Sequence, residues 1–192
     1  MAGAFADVVE RTLAESARAH EGARSAANAA AEAAEAIIAA LRRGGRILVC
    51  GNGGSAADAQ HFAAELVGRF EQERRALAAI ALASDASVVT AVGNDYGFER
   101  VFARQVEALG SPGDVLMGIT TSGRSANVVE AIAAAKAGGL TAVALTGRDG
   151  GAAGAAADIH INVPAARTAR AQEVHRTLLH AICEIVEREL YA

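Results

Sequence analysis

The sequence is poor in the residues on which several classes of protein depend. Its 192 residues include no tryptophan, only 4% are aromatic, and the formal net charge is −4. Proteins that bind nucleic acid generally need a basic stripe and aromatic platforms, so this composition argues against that function. No apolar run approaches the length of a membrane span, and the beginning of the chain lacks the basic start and apolar core of a signal peptide.

Cysteine is scarce as well. Cys50 and Cys183 stand alone in apolar surroundings, which favours reduced packing residues over a disulfide or a cysteine-based zinc site. With no signal peptide pattern, we expect a cytoplasmic protein without nucleic-acid or membrane partners. A chain of this length can bury about 70% of its unfolded surface, so we predict a single domain over residues 1–192.

Short apolar runs alternate with helical patterns after residue 46. We predict strands at 47–50, 77–82, 115–119, 141–145 and 159–163. We predict helices at 85–92 and 98–109, from about 126 to 137 and at 168–190, with a break at 93–97 and a polar loop at 146–151. This order predicts an α/β fold of three layers, Rossmann-like or flavodoxin-like, in which helices flank a parallel five-stranded sheet that binds ligands at its carboxyl edge.

Two alanine-rich helices, at 4–20 and 22–43, precede the first strand. Helices of small residues can pack closely against neighbours. We therefore expect the N-terminal helices, residues 1–43, to contribute to a homo-oligomer.

A glycine loop, defined as residues 51–55, follows the first strand. Gly51, Gly53 and Gly54 allow a sharp turn and a close approach of the backbone to a ligand. Ser55 stands at the expected N-cap of the next helix, where free amides and the helix dipole favour an anion. The pattern predicts a phosphate site that includes Asn52.

Polar residues recur along the helix that follows the glycine loop. His61 and Glu65 are four residues apart and share one face, and Arg69 lies a further turn along the same stripe. Alone, such a pair is most often a solvated face. Its position after an anion loop favours a functional interpretation.

A hydroxyl loop, defined as residues 120–125, follows the third strand and repeats this design. Its hydroxyl residues are Thr120, Thr121, Ser122 and Ser125. Hydroxyls and backbone amides can bind phosphate, although helix capping is the ordinary use of any one of them.

The last helix carries Gln172, Arg176 and His180 within one broad stripe, because eight residues rotate only about 80° past full turns. Gln172 and His180 can therefore face one site. We interpret His20, His160 and His175 as surface or packing residues.

Four segments together resemble the SIS domain family, and within it the phosphoheptose isomerases, over nearly the whole chain. They are CGNGGSAADAQHFAAEL from Cys50, GNDYGFE from Gly93, TTSGRSANV from Thr120, and ARAQEVH before His180. The resemblance implies an isomerase that converts sedoheptulose 7-phosphate to D-glycero-D-manno-heptose 7-phosphate through an enediol. It also implies a tetramer whose active sites lie between subunits.

The resemblance further implies roles for individual residues. Glu65 and His180 would carry the proton transfers. One zinc ion per subunit would be bound by His61, Glu65, Gln172 and His180. The substrate-binding residues would be Asn52, Gly53, Gly54, Ser55, Glu65, Arg69, Asn94, Asp95, Thr120, Thr121, Ser122, Ser125 and Gln172.

Three positions depart from the usual pattern of the family. Thr120 replaces a common serine and keeps the hydroxyl, Arg124 replaces an asparagine and adds a charge, and Ala169 stands where some relatives carry aspartate. These departures affect the expected substrate contacts rather than the acid and base.

Three alternatives remain open from the sequence. Gly51, Gly53 and Ala56 also fit a dinucleotide fingerprint, with Asp85 as a rather distant ribose acid. The second alternative is a non-catalytic SIS regulator that binds the replication initiator, although such regulators generally lack the acid and base. The third is an isomerase of another sugar phosphate.

Overall fold

The computed structural model describes residues 2–191, and its strands confirm the α/β prediction. The strands are β1 Ile47–Gly51, β2 Ala79–Ala81, β3 Val115–Thr120, β4 Thr141–Gly147 and β5 Ile159–Val163. All four pairings are parallel, and the strand order is β2-β1-β3-β4-β5.

Helices cover both faces of this sheet. The α-helices are α1 Ala2–Gly22, α2 Ala27–Arg42, α3 Gly54–Val67, α4 Ala86–Tyr96, α5 Ala103–Leu109, α6 Ala126–Ala137, α7 Gly151–Ala156 and α8 Thr168–Tyr191. Short 3-10 turns at Ala23–Ala26 and Phe98–Arg100 lead into α2 and towards α5. Within residues 2–191, none of the helices combines the length and apolarity needed to cross a membrane.

The three central strands, β1, β3 and β4, contribute to two separate cores because successive side chains face opposite sides of the sheet. Val49 packs in the core that α2, α3 and α8 cover, whereas Leu48 packs in the core beneath α5 and α6. All five residues of β1 are buried, as expected for the centre of a parallel sheet. The site-bearing helices α3 and α8 thus lie on the same face.

The structure corrects two predicted strand boundaries. The second strand is Ala79–Ala81 rather than 77–82, because it is an edge strand paired with β1 alone and the Leu77 amide bonds the Leu66 carbonyl instead. Part of the loop predicted at 146–151 is strand, since Thr146 and Gly147 continue the pairing with β5. The short helix α7 follows directly and was not predicted.

The boundaries of three predicted helices are also wrong. The second N-terminal helix, predicted from residue 22, begins at Ala27, because a 3-10 turn occupies Ala23–Ala26. Asp85 caps α4 as expected, with its carboxylate accepting the Val88 amide at 3.0 Å, but the helix continues to Tyr96 instead of ending near residue 92. It ends at Gly97, whose φ of 91° suits glycine. The predicted helix 98–109 is a 3-10 turn followed by the seven-residue α5.

Candidate active site

The glycine loop and the hydroxyl loop lie side by side, after the neighbouring strands β1 and β3. In a sheet of order 2-1-3-4-5, this is the switch point at which ligands usually bind. Asn52 and Asn127 join the loops, each donating its Nδ2 to the other's Oδ1 at 2.8 Å. Asn127 is buried in the first turn of α6 and was missed from the sequence. The sequence feature that could have indicated Asn127 is a polar amide residue within a largely apolar helix.

The glycine loop leads into α3 without a side-chain cap. Gly53 is the N-cap, with a φ of 55°, and makes no side-chain hydrogen bond. Ser55 lies inside the first turn and is buried, so its predicted position at the N-cap is wrong. A Cβ on Gly51 would lie 2.7 Å from the Ser55 carbonyl oxygen, so only glycine allows this close turn. The amino end of α3 retains the dipole that favours an anion.

The hydroxyls of the hydroxyl loop converge instead of capping α6. The Thr120 Oγ1 lies 2.9 Å from the Ser125 Oγ and 3.3 Å from the Ser122 Oγ. Ser125 is the N-cap residue of α6 but makes no side-chain cap hydrogen bond. Capping therefore does not explain Ser125, and the three hydroxyls form a compact polar group suited to phosphate oxygens.

Arg124 is held by a neighbouring loop. Its Nη2 lies 2.5 Å from Asp149 Oδ2, and its Nη1 donates to the Ser122 carbonyl at 3.1 Å. The hydrogen bond from Arg124 lowers the pKa of Asp149, which keeps this carboxylate charged. The additional charge of Arg124 is thus already paired.

His61, Glu65 and His180, called here the histidine cluster, meet between α3 and α8. The two Nε2 atoms are 2.8 Å apart, and the His61 Nε2 is 3.3 Å from Glu65 Oε1. The donor atoms of all three residues lie within 4.8 Å of one another. The structure thus brings together three residues to which the resemblance assigns a common site.

This donor set suits a divalent metal. Two imidazole nitrogens and a carboxylate oxygen are ligands that zinc accepts, and catalytic zinc sites use three protein ligands with a position left open. The side chains of His61 and Glu65 are 38% and 23% exposed, so the cluster is accessible from solvent. The structure therefore contains a possible metal site.

The histidine cluster belongs to a longer contact between two parallel helices. Asp58 accepts hydrogen bonds from Arg176 at 2.6 and 3.2 Å, His61 meets His180, and the amide of Phe70 donates to Glu187. The residue separations at these contacts are 118, 119 and 117, so α3 and α8 run side by side in one direction. The polar stripe of α8 thus faces α3.

Gln172 lies about two turns before the histidine cluster along α8, against the start of α3. A Cβ on Gly54 would collide with the side-chain amide of Gln172, so the two residues are in close contact. No hydrogen bond joins Gln172 to the cluster among residues 2–191, so its role as a metal ligand stays a prediction. With Ala169, Arg176 and others, it lines a cleft of about 300 Å³ beside the glycine loop.

Three predicted substrate-binding residues, Arg69, Asn94 and Asp95, have their polar partners outside the histidine cluster and the two loops. Arg69 follows the end of α3 at Val67, so it does not continue the helical stripe and instead lies 3.9 Å from Glu73. Asn94 and Asp95 lie exposed in the last turn of α4, and Asn94 donates to Asp95 at 2.7 Å. Their roles in substrate binding stay predictions.

The remaining histidines have structural partners, as expected. His175 is fully buried and its Nε2 donates to the Thr146 carbonyl at 2.9 Å, while burial lowers its pKa and keeps it neutral. His160 bonds the Thr146 hydroxyl at 2.7 Å, and His20 bonds Thr177 at 2.9 Å.

Both cysteines are buried and free. Burial raises the pKa of Cys50 and of Cys183 to about 12, which makes both thiols poor nucleophiles. They are packing residues, as predicted.

Comparison with known proteins identifies the family. A family model of the SIS domain matches residues 12–147. The phosphoheptose isomerase of Laribacter hongkongensis is 61% identical over 160 residues, covering 82% of each chain. The chain belongs to the phosphoheptose isomerases of the SIS domain family. Membership confirms the assignment made from the four sequence segments.

Solved structures of phosphoheptose isomerases share the whole fold. The Neisseria gonorrhoeae structure is 50% identical, with a TM-score of 0.91, and the match covers 96% of this chain and 99% of that one. The Francisella tularensis structure is 42% identical, with a TM-score of 0.92 and coverage of 96% and 98%. Asp85, the ribose acid of the dinucleotide alternative, caps α4 with one oxygen of its carboxylate.

Proposed function

We propose that the chain isomerises sedoheptulose 7-phosphate to D-glycero-D-manno-heptose 7-phosphate, which supplies heptose precursors. The histidine cluster carries this proposal, because His61 and Glu65, two to three turns along the helix that begins at the glycine loop, meet His180 of α8 in one group of possible acid, base and metal ligands. The names of the close relatives support the sugar and the reaction.

The two loops bind and orient the substrate in this proposal. The hydroxyls of Thr120, Thr121, Ser122 and Ser125 and the amino end of α3 receive the phosphate, which fixes the far end of the sugar. The rest of the proposed binding set is Asn52, Gly53, Gly54, Ser55, Glu65, Arg69, Asn94, Asp95 and Gln172. The Asn52–Asn127 pair keeps the two loops in register.

Glu65 and His180 share the proton transfers. Isomerisation removes a proton from C1 of the ketose, returns one to C2, and moves another from O1 to O2, so carbon and oxygen both need a positioned acid or base. The enediol forms between the two carbon steps. Because Glu65 contacts His61 through Oε1, its second oxygen stays free to take or return a proton.

Zinc is the proposed cofactor, one ion per subunit, and it would polarise the substrate carbonyl as a Lewis acid. His61, Glu65 and His180 would hold it, with Gln172 as the proposed fourth ligand. A gain of activity on adding zinc to chelator-treated protein tests this cofactor. Full activity of chelator-treated, metal-free protein would contradict it.

A homotetramer with shared active sites is the proposed assembly, in the cytoplasm. Four large apolar side chains of α1 support it: Phe5, Val8, Val9 and Leu13 are 69%, 47%, 58% and 65% exposed, at a spacing that places them along one side of the helix. Light scattering during size exclusion tests it, and a monomeric mass would contradict it. Leu13→Glu should weaken the assembly.

The function itself is tested with ketose phosphates of five, six and seven carbons. We expect the wild-type chain to form aldose fastest from the seven-carbon sugar, and Glu65→Gln to be nearly inactive. Faster turnover of a shorter sugar would support the alternative substrate. No turnover, together with capture of the replication initiator, would support the regulator.

A further inference from the structure

A buried ion pair joins the carboxyl end of α3 to α8 beyond the histidine cluster. The Arg74 Nε donates to Glu187 Oε1 at 2.8 Å, and the two side chains are 0% and 2% exposed. Glu187 lies seven residues after His180, and therefore on the same face of α8. We call Arg74, Glu187 and the backbone of residues 70–72 the clamp.

The side chain of Arg74 caps the carboxyl end of α3, at the turn that carries Glu65. The last carbonyls of a helix have no intrahelical donor, and a helix end without partners frays. The Arg74 Nη2 donates to the Glu65 carbonyl at 2.7 Å, and its Nη1 donates to the Leu66 carbonyl at 2.8 Å. Its positive charge also suits the negative end of the helix dipole. Arg74 thus holds the backbone of Glu65 in position.

Glu187 holds the segment that follows α3. Its two oxygens accept the amides of Phe70, Glu71 and Gln72 at 2.8, 2.9 and 3.0 Å. Burial alone would raise the pKa of Glu187, but these amides and Arg74 lower it to about 2, so the carboxylate stays charged. Hydrogen bonds to a charged acceptor are the stronger kind.

The same segment supports His180. Phe70 follows the end of α3 and is partly buried against the core, and its ring lies 5.5 Å from the His180 ring at an angle of 41°. The ring of His180 therefore packs near the rings of both Phe70 and His61. A shift of residues 70–72 would move the Phe70 ring and change its packing against the His180 ring.

We propose that Arg74 and Glu187 are positioning residues that fix Glu65 and His180 relative to each other across the two helices. This inference rests on the proposed function, because it assigns the clamp to the residues that transfer protons and bind the metal. Neither Arg74 nor Glu187 contacts the substrate in this proposal. The loops that bind phosphate lie near the opposite end of α3, so the clamp should govern turnover rather than substrate affinity.

Glu187→Gln is the principal test, since it keeps the size of the side chain and removes its charge. We expect the zinc Kd, measured by calorimetry on chelator-treated protein, to rise about 10- to 100-fold, as is typical when a residue that orients the metal ligands is substituted. We expect kcat to fall by a similar factor while KM changes less than about threefold. Arg74→Lys keeps the charge but not the planar fork, and should act in the same direction.

Asp114→Asn is the matched control. Asp114 is also a buried carboxylate that accepts two backbone amides, those of Arg46 and Ser111, both at 2.9 Å. It precedes β3, at the edge of the sheet opposite the site. We expect this variant to lower the Tm while the zinc Kd and kcat stay within about twofold of wild type.

A wild-type zinc Kd and kcat in folded Glu187→Gln or Arg74→Lys would overturn the positioning role, whatever happens to the Tm. Equal losses in Asp114→Asn would overturn it as well, because they would reflect general destabilisation. If the wild-type chain turns over no ketose phosphate, the proposed function fails, and the zinc Kd values still decide the role of the clamp.

Discussion

The two halves of the candidate site are built in different ways. The glycine and hydroxyl loops each consist of consecutive residues at the end of one strand, and short-range contacts such as Thr120 with Ser125 shape them. The histidine cluster exists only because α3 and α8 pack in parallel, which brings together side chains 119 positions apart. The proposed phosphate site is thus locally encoded, whereas the proposed catalytic site depends on tertiary packing.

This difference predicts that the two halves fail differently when they are mutated. In the proposed function, a loop hydroxyl makes a contact that substrate and transition state share, so its loss should raise KM. A proton-transferring residue of the cluster acts only in the reaction itself, so its loss should lower kcat.

The largest effect is expected from the cluster. Glu65→Gln and His180→Gln should each lower kcat about 100- to 10,000-fold, because each removes a positioned acid or base. The measurement is the steady-state rate with sedoheptulose 7-phosphate. His20→Gln is the control, because His20 lies on α1 and bonds Ser16 and Thr177. A cluster variant with near-normal kcat would refute the assignment.

A second prediction concerns the pH dependence of stability. Burial would raise the pKa of Glu187, but its four hydrogen bonds lower it from 4.5 to about 2. Because the folded pKa lies below the unfolded one, the stabilisation is complete above about pH 4.5 and is lost as the pH falls towards 2. The difference corresponds to about 3 kcal/mol.

Urea unfolding between pH 3 and 7 measures this contribution. The free energy of unfolding of Glu187→Gln should depend less on pH than that of the wild type, and the difference between the two proteins should narrow as the pH falls from about 4.5 to 3. Parallel curves for the two proteins would contradict the prediction.

A smaller effect is expected in the hydroxyl loop. Ser122→Ala and Ser125→Ala should each raise KM about tenfold with kcat within about twofold, since a hydrogen bond to a charged group is lost. Ser87→Ala, in the exposed first turn of α4, is the control. A fall in kcat without a change in KM would show that the loops and the cluster are not separable.

The smallest effect is expected from Arg124. Arg124→Asn should change KM by less than about twofold, because the guanidinium is exposed and already paired with Asp149. A tenfold rise in KM would instead show that Arg124 binds the phosphate directly.

Local features were largely predictable from the sequence. The glycine loop, the hydroxyl loop and the i,i+4 pair of His61 and Glu65 could be recognised because each lies within a few residues of one strand or helix. The position of Ser55 was misjudged, since the turn at Gly53 already begins the helix. Arg69 was misplaced because α3 ends two residues earlier.

Long-range features were less accessible. A stripe on α8 predicted that Gln172, Arg176 and His180 share a face, but not which residue of α3 each would meet. That register follows from packing along the whole helix. Glu187 gave one signal that was overlooked, a charged residue directly after the apolar Ile185 and Val186.

The proposed mechanism requires Glu65 and His180 to work as one unit across the two helices. A double-mutant cycle tests this directly, by measuring kcat for Glu65→Gln, His180→Gln and the double variant. We predict that the double variant is less than about tenfold slower than the slower single variant, as for residues that act together. Losses that multiply in the double variant would contradict the account, because they would mean that the two residues act independently.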